Sequence, residues 1–138
     1  MKKLFTAVLL LMVIIVTAQE KEYTCYTMSY WEYAEDIQKW EEIDIMDTHV
    51  LITFKGKETL IQYYGDRSEE VLVNHTLIDT YVNTDGRTIN AYDCYYKDTR
   101  VLLTIDDLGD MRITTETDMV IYHNITRISK RNGLESLR

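Results

Sequence analysis

Residues 50–64 read VLITFKGKETLIQYY, and this stretch decides the fold class. Val50, Ile52 and Phe54 alternate with Leu51 and Thr53, the period of two that sends successive side chains to opposite faces of a strand. Lys55-Gly56-Lys57-Glu58 is a polar turn, and Thr59 to Tyr64 returns as the second strand of a hairpin.

The same pattern extends in both directions. Tyr23 to Trp31 is rich in Tyr and Thr and reads as the first strand, and Ile43 and Ile45 alternate with acids. Downstream, Val71 to Asn83, Thr88 to Tyr96, Arg100 to Ile105, Met111 to Thr115 and Met119 to His123 continue the series. Short polar turns separate them, and Asp85-Gly86 suits a type I′ turn in which both central residues take positive φ. The expected fold is all-β: about eight antiparallel strands in a meander, forming a barrel or a two-layer sandwich. The chain has no proline, which fits an uninterrupted ladder because proline cannot donate to one. One segment has a different period. Tyr33, Ile37 and Trp40 are spaced i, i+4, i+7, and Ser29 with Glu32 mimics a capping box, so a short helix is expected near residues 32–41.

The 138 residues allow one domain with flanking segments. Residues 1–18 have the parts of a secretory signal peptide: Lys2 and Lys3, an apolar run from Leu4 to Val16, and Thr17-Ala18 before Gln19. A membrane-spanning helix needs about 20 apolar residues, and the charged Glu20, Lys21 and Glu22 end the run too early. Cleavage there leaves a β-domain at 19–124 and a basic tail at 125–138, exported to the periplasm or the medium. The net charge of −8 is an average. Residues 19–124 carry 22 acids against 9 bases, a net −13, and the tail carries a net +3. Such a body excludes nucleic acid as a partner and favours a basic protein, approached by electrostatic steering. Export also predicts that the two cysteines, Cys25 and Cys94, pair, closing a loop of about 70 residues.

Motifs for catalysis are missing. None of the four serines lies in a nucleophile elbow, and the five glycines are too scattered to cradle a phosphate. Metal-ligand spacing is likewise missing. His49, His75 and His123 are the candidates, and neither a metal nor any other cofactor is expected. Aromatic residues are the richer resource. Tyr63-Tyr64 and Tyr95-Tyr96 each place one ring on either face of a strand, and with Trp31 and Trp40 they form the expected binding surface.

Two resemblances accompany this reading. The Lys-Lys leader ending in Thr17-Ala18-Gln19, followed by an acidic β-rich domain, resembles small exported bacterial proteins of uncharacterised activity. Tyr23-Thr24-Cys25 opening such a domain is similar to the start of periplasmic C-type lysozyme inhibitors, which implies a barrel that plugs the cleft of a basic enzyme. The Ser-Gly of their inhibitory loop has no counterpart here. The expected function is non-catalytic binding through an acidic, aromatic surface. The alternatives are a lipocalin-like barrel holding a small apolar ligand and a carboxylate-based hydrolase.

Overall fold

The computed structural model describes residues 20–128. The leader and residues 129–138 of the basic tail lie outside the described residues. Nine strands follow one another: β1 Glu20–Ala34, β2 Lys39–Lys55, β3 Glu58–Tyr63, β4 Glu69–Val82, β5 Thr88–Tyr96, β6 Thr99–Asp106, β7 Met111–Thr114, β8 Asp118–His123 and β9 Thr126–Ile128. Each pairs antiparallel with the next up to β8, and β8 pairs with β1, which closes an eight-stranded up-and-down barrel. Of the two expected architectures, the barrel is the one formed. After Asn124, which takes positive φ, β9 resumes the line of β8 along the first part of β1.

Alternation decides which side chains fill the interior. Cys25, Val50, Ile52, Ile61, Leu72, Cys94, Val101, Leu103, Met111 and Tyr122 form one buried cluster drawn from all eight barrel strands. Tyr23, Phe54, Tyr92 and Ile105 pack against it near the end where the chain enters. Met28 and Tyr63 do so toward the opposite end.

Three expectations change. Residues 32–41 form no helix: β1 runs to Ala34, a turn with Gln38 at positive φ follows, and β2 starts at Lys39. Tyr33 and Trp40 are directly opposed across this hairpin, with ring centroids 5.4 Å apart. The i, i+7 spacing therefore reports a cross-strand pair around a four-residue turn. Ser29, read as a helix cap, instead accepts from Trp31 Nε1–H and shares a hydrogen bond with His123 Nε2, each at 2.8 Å. The Asp85-Gly86 turn is also not type I′. Only Gly86 has positive φ, and Asn83 Oδ1 accepts from the N–H groups of Asp85 and Arg87, so a side chain organises the loop.

The third correction concerns the cysteines. Cys25 and Cys94 are separate buried thiols and form no disulfide. Cys25 on β1 and Cys94 on β5 lie four strands apart in either direction around the ring. Eight strands spaced about 4.8 Å and tilted about 40° make a ring roughly 15 Å across. A disulfide needs Cα atoms about 4.4–6.8 Å apart. Burial pushes both thiols up, Cys94 to about 11, which suppresses the reactive thiolate. The folded chain is expected to leave both unalkylated by iodoacetamide at pH 8, while denaturant exposes both. An intact mass that rises by two protons on reduction would contradict this.

Candidate functional site

At one end of the barrel β1 and β2 outrun their neighbours. β3 pairs with β2 only from Val50 to Lys55, and a single further bond joins Tyr64 N–H to His49 O. From Lys39 to Thr48, β2 is hydrogen-bonded to β1 on one side and, among the described residues, to no strand on the other. β8 covers the far side of β1 through Glu32, so the free edge belongs to β2 alone. Tyr30 at the base of this arm donates its hydroxyl to Asp118 Oδ1 at 2.8 Å, anchoring it to β8.

The arm is strongly acidic. Glu32, Glu35, Asp36, Glu41, Glu42, Asp44 and Asp47 face one base, Lys39. Acids on an edge normally discourage pairing with another copy. Here they are interleaved with Ile43, Ile45 and Met46, all exposed, which is an apolar surface that edge protection does not require. Beside them, on the outer wall, Tyr26, His49 and Tyr64 stack in a row, with centroid separations of 4.8 and 4.2 Å. Tyr26 is 60% exposed and Tyr64 is 54% exposed. A register shift between Cys25 and Thr27 leaves Tyr26 unpaired with β2 and presents it beside His49.

The aromatic residues singled out in the sequence divide between wall and interior. Tyr64 belongs to the exposed stack. Trp31, half-buried at the arm's base, is tied to Ser29. Trp40 is half-buried against Tyr33. Tyr95 is exposed on β5, away from the arm. Tyr63 and Tyr96 are partly buried and pack against the core. Tyr26 and Met46 were not singled out, His49 was named only as a metal-ligand candidate, and Ile43 and Ile45 were read only as strand residues. The alternation of Ile43 and Ile45 with acids marked a strand with one apolar face, but only the missing neighbour shows that this face is uncovered.

A cleft of about 400 Å³ opens at the base of the arm, lined by residues including Met28, Met46, Tyr63, Asp66 and Glu70. Tyr63 and Tyr122 share a hydrogen bond between their hydroxyls across the interior. Burial pushes Tyr63 up to about 12 and Tyr122 well above the ordinary tyrosine value. Burial also raises the Glu70 carboxyl, while the Ser68 hydroxyl and N–H, donating to Asp66, hold that carboxyl below its usual range. Asp66 Oδ1 is thus engaged within its own turn, and Glu70 is the carboxyl directed inward.

The three histidines are dispersed. His49 lies in the stack, His75 bonds Thr59 Oγ1 at 2.9 Å, and His123 bonds Ser29. No group of three metal-ligating side chains comes together among the described residues. The Ser29–His123 contact has the partners of a nucleophile and its base, but Ser29 is buried and accepts from Trp31. A second exposed apolar run, Leu77, Ile78, Tyr81 and Val82, lies on β4, whose pairing with β5 is broken by two register shifts. Comparison of the chain with protein-family models, curated proteins and solved structures returned no match.

Proposed function

We propose that this protein is a non-catalytic binding protein whose β1–β2 arm receives a basic, extended segment of a partner protein. The observation that carries the reading is the unpaired edge of β2 from Lys39 to Thr48, set among seven acids. A strand added there would satisfy the outward N–H and C=O groups of β2, the usual source of affinity when a peptide extends a sheet. Its lysines and arginines would meet Glu41, Glu42, Asp44 and Asp47, and its apolar side chains would rest on Ile43, Ile45 and the Tyr26–His49–Tyr64 row. The acids then have two compatible effects, repelling a second copy and steering a basic partner. Export to the periplasm or the medium, proposed from the leader, would place such partners outside the cytoplasm.

Binding to poly-L-lysine and to an arginine-rich extended peptide tests this by interferometry. Affinity is expected to fall at least about tenfold between roughly 20 and 500 mM salt. Reversing Glu42 and Asp44 to lysine should weaken binding at 20 mM by at least about tenfold. The same reversal at Asp85 and Asp107, in turns at the opposite end of the barrel, should leave affinity within about twofold. Equal losses from both double variants, or affinity unchanged by salt, would refute the assignment.

A further inference from the structure

The barrel end away from the arm holds a second feature, which the arm does not use. A cavity of about 440 Å³ enters the barrel mouth there, within the range of about 300–1,000 Å³ typical of small-molecule sites. Tyr23 and Phe54, packed edge to face at 5.5 Å, form one wall, and Tyr92, Leu103, Ile105 and Ile125 complete the apolar lining. Leu103 is fully buried, so the pocket reaches down to the packed core. The polar lining comprises His75, Asn90, Lys21 and Lys57.

The charge at this mouth is unusual for the molecule. Lys21 and Lys57 are two of only nine bases in a body with 22 acids. Among the described residues neither is paired with a carboxylate, whereas nearby Lys55 is paired with Glu20 at 3.3 Å. The Lys57 main chain is fixed at the mouth, its carbonyl accepting from His75 N–H at 3.2 Å, while its side chain stays exposed. The His75 ring is anchored in turn by Thr59, and burial lowers its pKa despite the field of Glu58, so its contribution is polar rather than ionic at neutral pH. Two ammonium groups over an apolar pocket suit a ligand with an anionic head and a hydrocarbon or aromatic body. A cationic amphiphile would meet like charge, and a purely apolar molecule would make no use of the lysines.

We infer that this mouth is a binding site for a small anionic amphiphile, of the carboxylate-headed, single-chain kind. The head sits between Lys21 and Lys57, and the chain lies against Tyr23, Phe54 and Tyr92 toward Leu103. The inference is independent of the arm, which lies at the other end of the barrel.

Calorimetric titration of the purified chain with dodecanoate, below its micellar concentration, tests it, with dodecyltrimethylammonium as the charge-reversed probe. One dodecanoate per chain should bind, at least about tenfold more tightly than the ammonium surfactant. Reversing both Lys21 and Lys57 to glutamate should weaken dodecanoate at least about tenfold. These side chains are exposed, so the fold should persist, and far-ultraviolet circular dichroism checks this. Ile105→Trp, which fills the pocket, should abolish binding while poly-L-lysine binding at the arm persists. Absence of dodecanoate binding, equal affinity for the two surfactants, or an unaffected lysine double variant would overturn the assignment.

Discussion

Leu103→Ala is expected to lower the free energy of unfolding by about 2–5 kcal/mol, among the largest losses a single side chain here can produce. Leu103 has 0% exposure and sits between Tyr92 and Ile113, its partners on β5 and β7. Alanine would remove the hydrocarbon that separates the packed centre from the mouth cavity. A closed ring hydrogen-bonded on both sides of each strand cannot collapse freely into the space, so the cavity cost adds to the lost burial. Leu102→Ala on the same strand supplies the contrast. Leu102 is 37% exposed on the outer face, and its loss should cost less than about 1 kcal/mol. Urea denaturation of both variants measures the difference. Similar costs would mean that the inward and outward faces of β6 are wrongly assigned.

Asp106→Ala is the second large effect, at roughly 2–3 kcal/mol. Asp106 ends β6 and is 9% exposed. Its Oδ1 accepts from the N–H groups of Leu108 and Asp110, and its Oδ2 accepts from Arg87 Nη1 at 3.0 Å. Arg87 also donates to Asp110, and Asp110 Oδ1 accepts from Asn124 N–H. Asp106 thus ties the β4–β5 loop to the β6–β7 turn, Asp110 extends the network to the kink before β9, and alanine at 106 would orphan the Leu108 and Asp110 N–H groups together. The effect carries a pH signature. Burial alone would raise the Asp106 pKa, but the N–H of Asp110 and the Arg87 guanidinium outweigh it, and the folded value lies below the ordinary one. The stabilisation is therefore present above the unfolded value of about 3.9 and disappears as pH falls through the folded pKa. Wild type and variant should differ fully at pH 6, and the gap should narrow below about pH 4. A constant gap down to pH 2 would show that the charge of Asp106 is not what holds the knot together.

Much of the barrel was legible because the cause of each strand is local. Alternation in Val50–Phe54, polar turns such as Lys55–Glu58 and a lack of room for crossover helices lead to a meander, and closure follows when β8 meets β1. The failures share a physical root. Tyr33 and Trp40 have helical spacing along the chain, yet a hairpin with a four-residue turn makes the same spacing a cross-strand contact. Cys25 and Cys94 looked like partners from compartment alone. Their strands are as far apart as the ring allows, which composition does not encode.

The arm was only half visible for a similar reason. Its acids, Trp40 and the alternating isoleucines can be read directly from the sequence. That β3 stops at Val50's level and leaves Lys39–Thr48 unpaired depends on unequal strand lengths, a property of the assembled sheet. The mouth pocket was less visible still. Lys21, Tyr23, Lys57 and Tyr92 come from two strands, β1 and β5, and the β2–β3 turn, and only closure brings them together.

Amide hydrogen exchange of the chain, with and without a bound arginine-rich peptide at low salt, examines the β2 edge itself. The outward-facing amides of Lys39–Thr48, which no strand among the described residues covers, are expected to exchange rapidly in the free protein and to become protected on binding. Protection confined to other segments, or none on β2 with the peptide bound, would contradict strand addition at this edge.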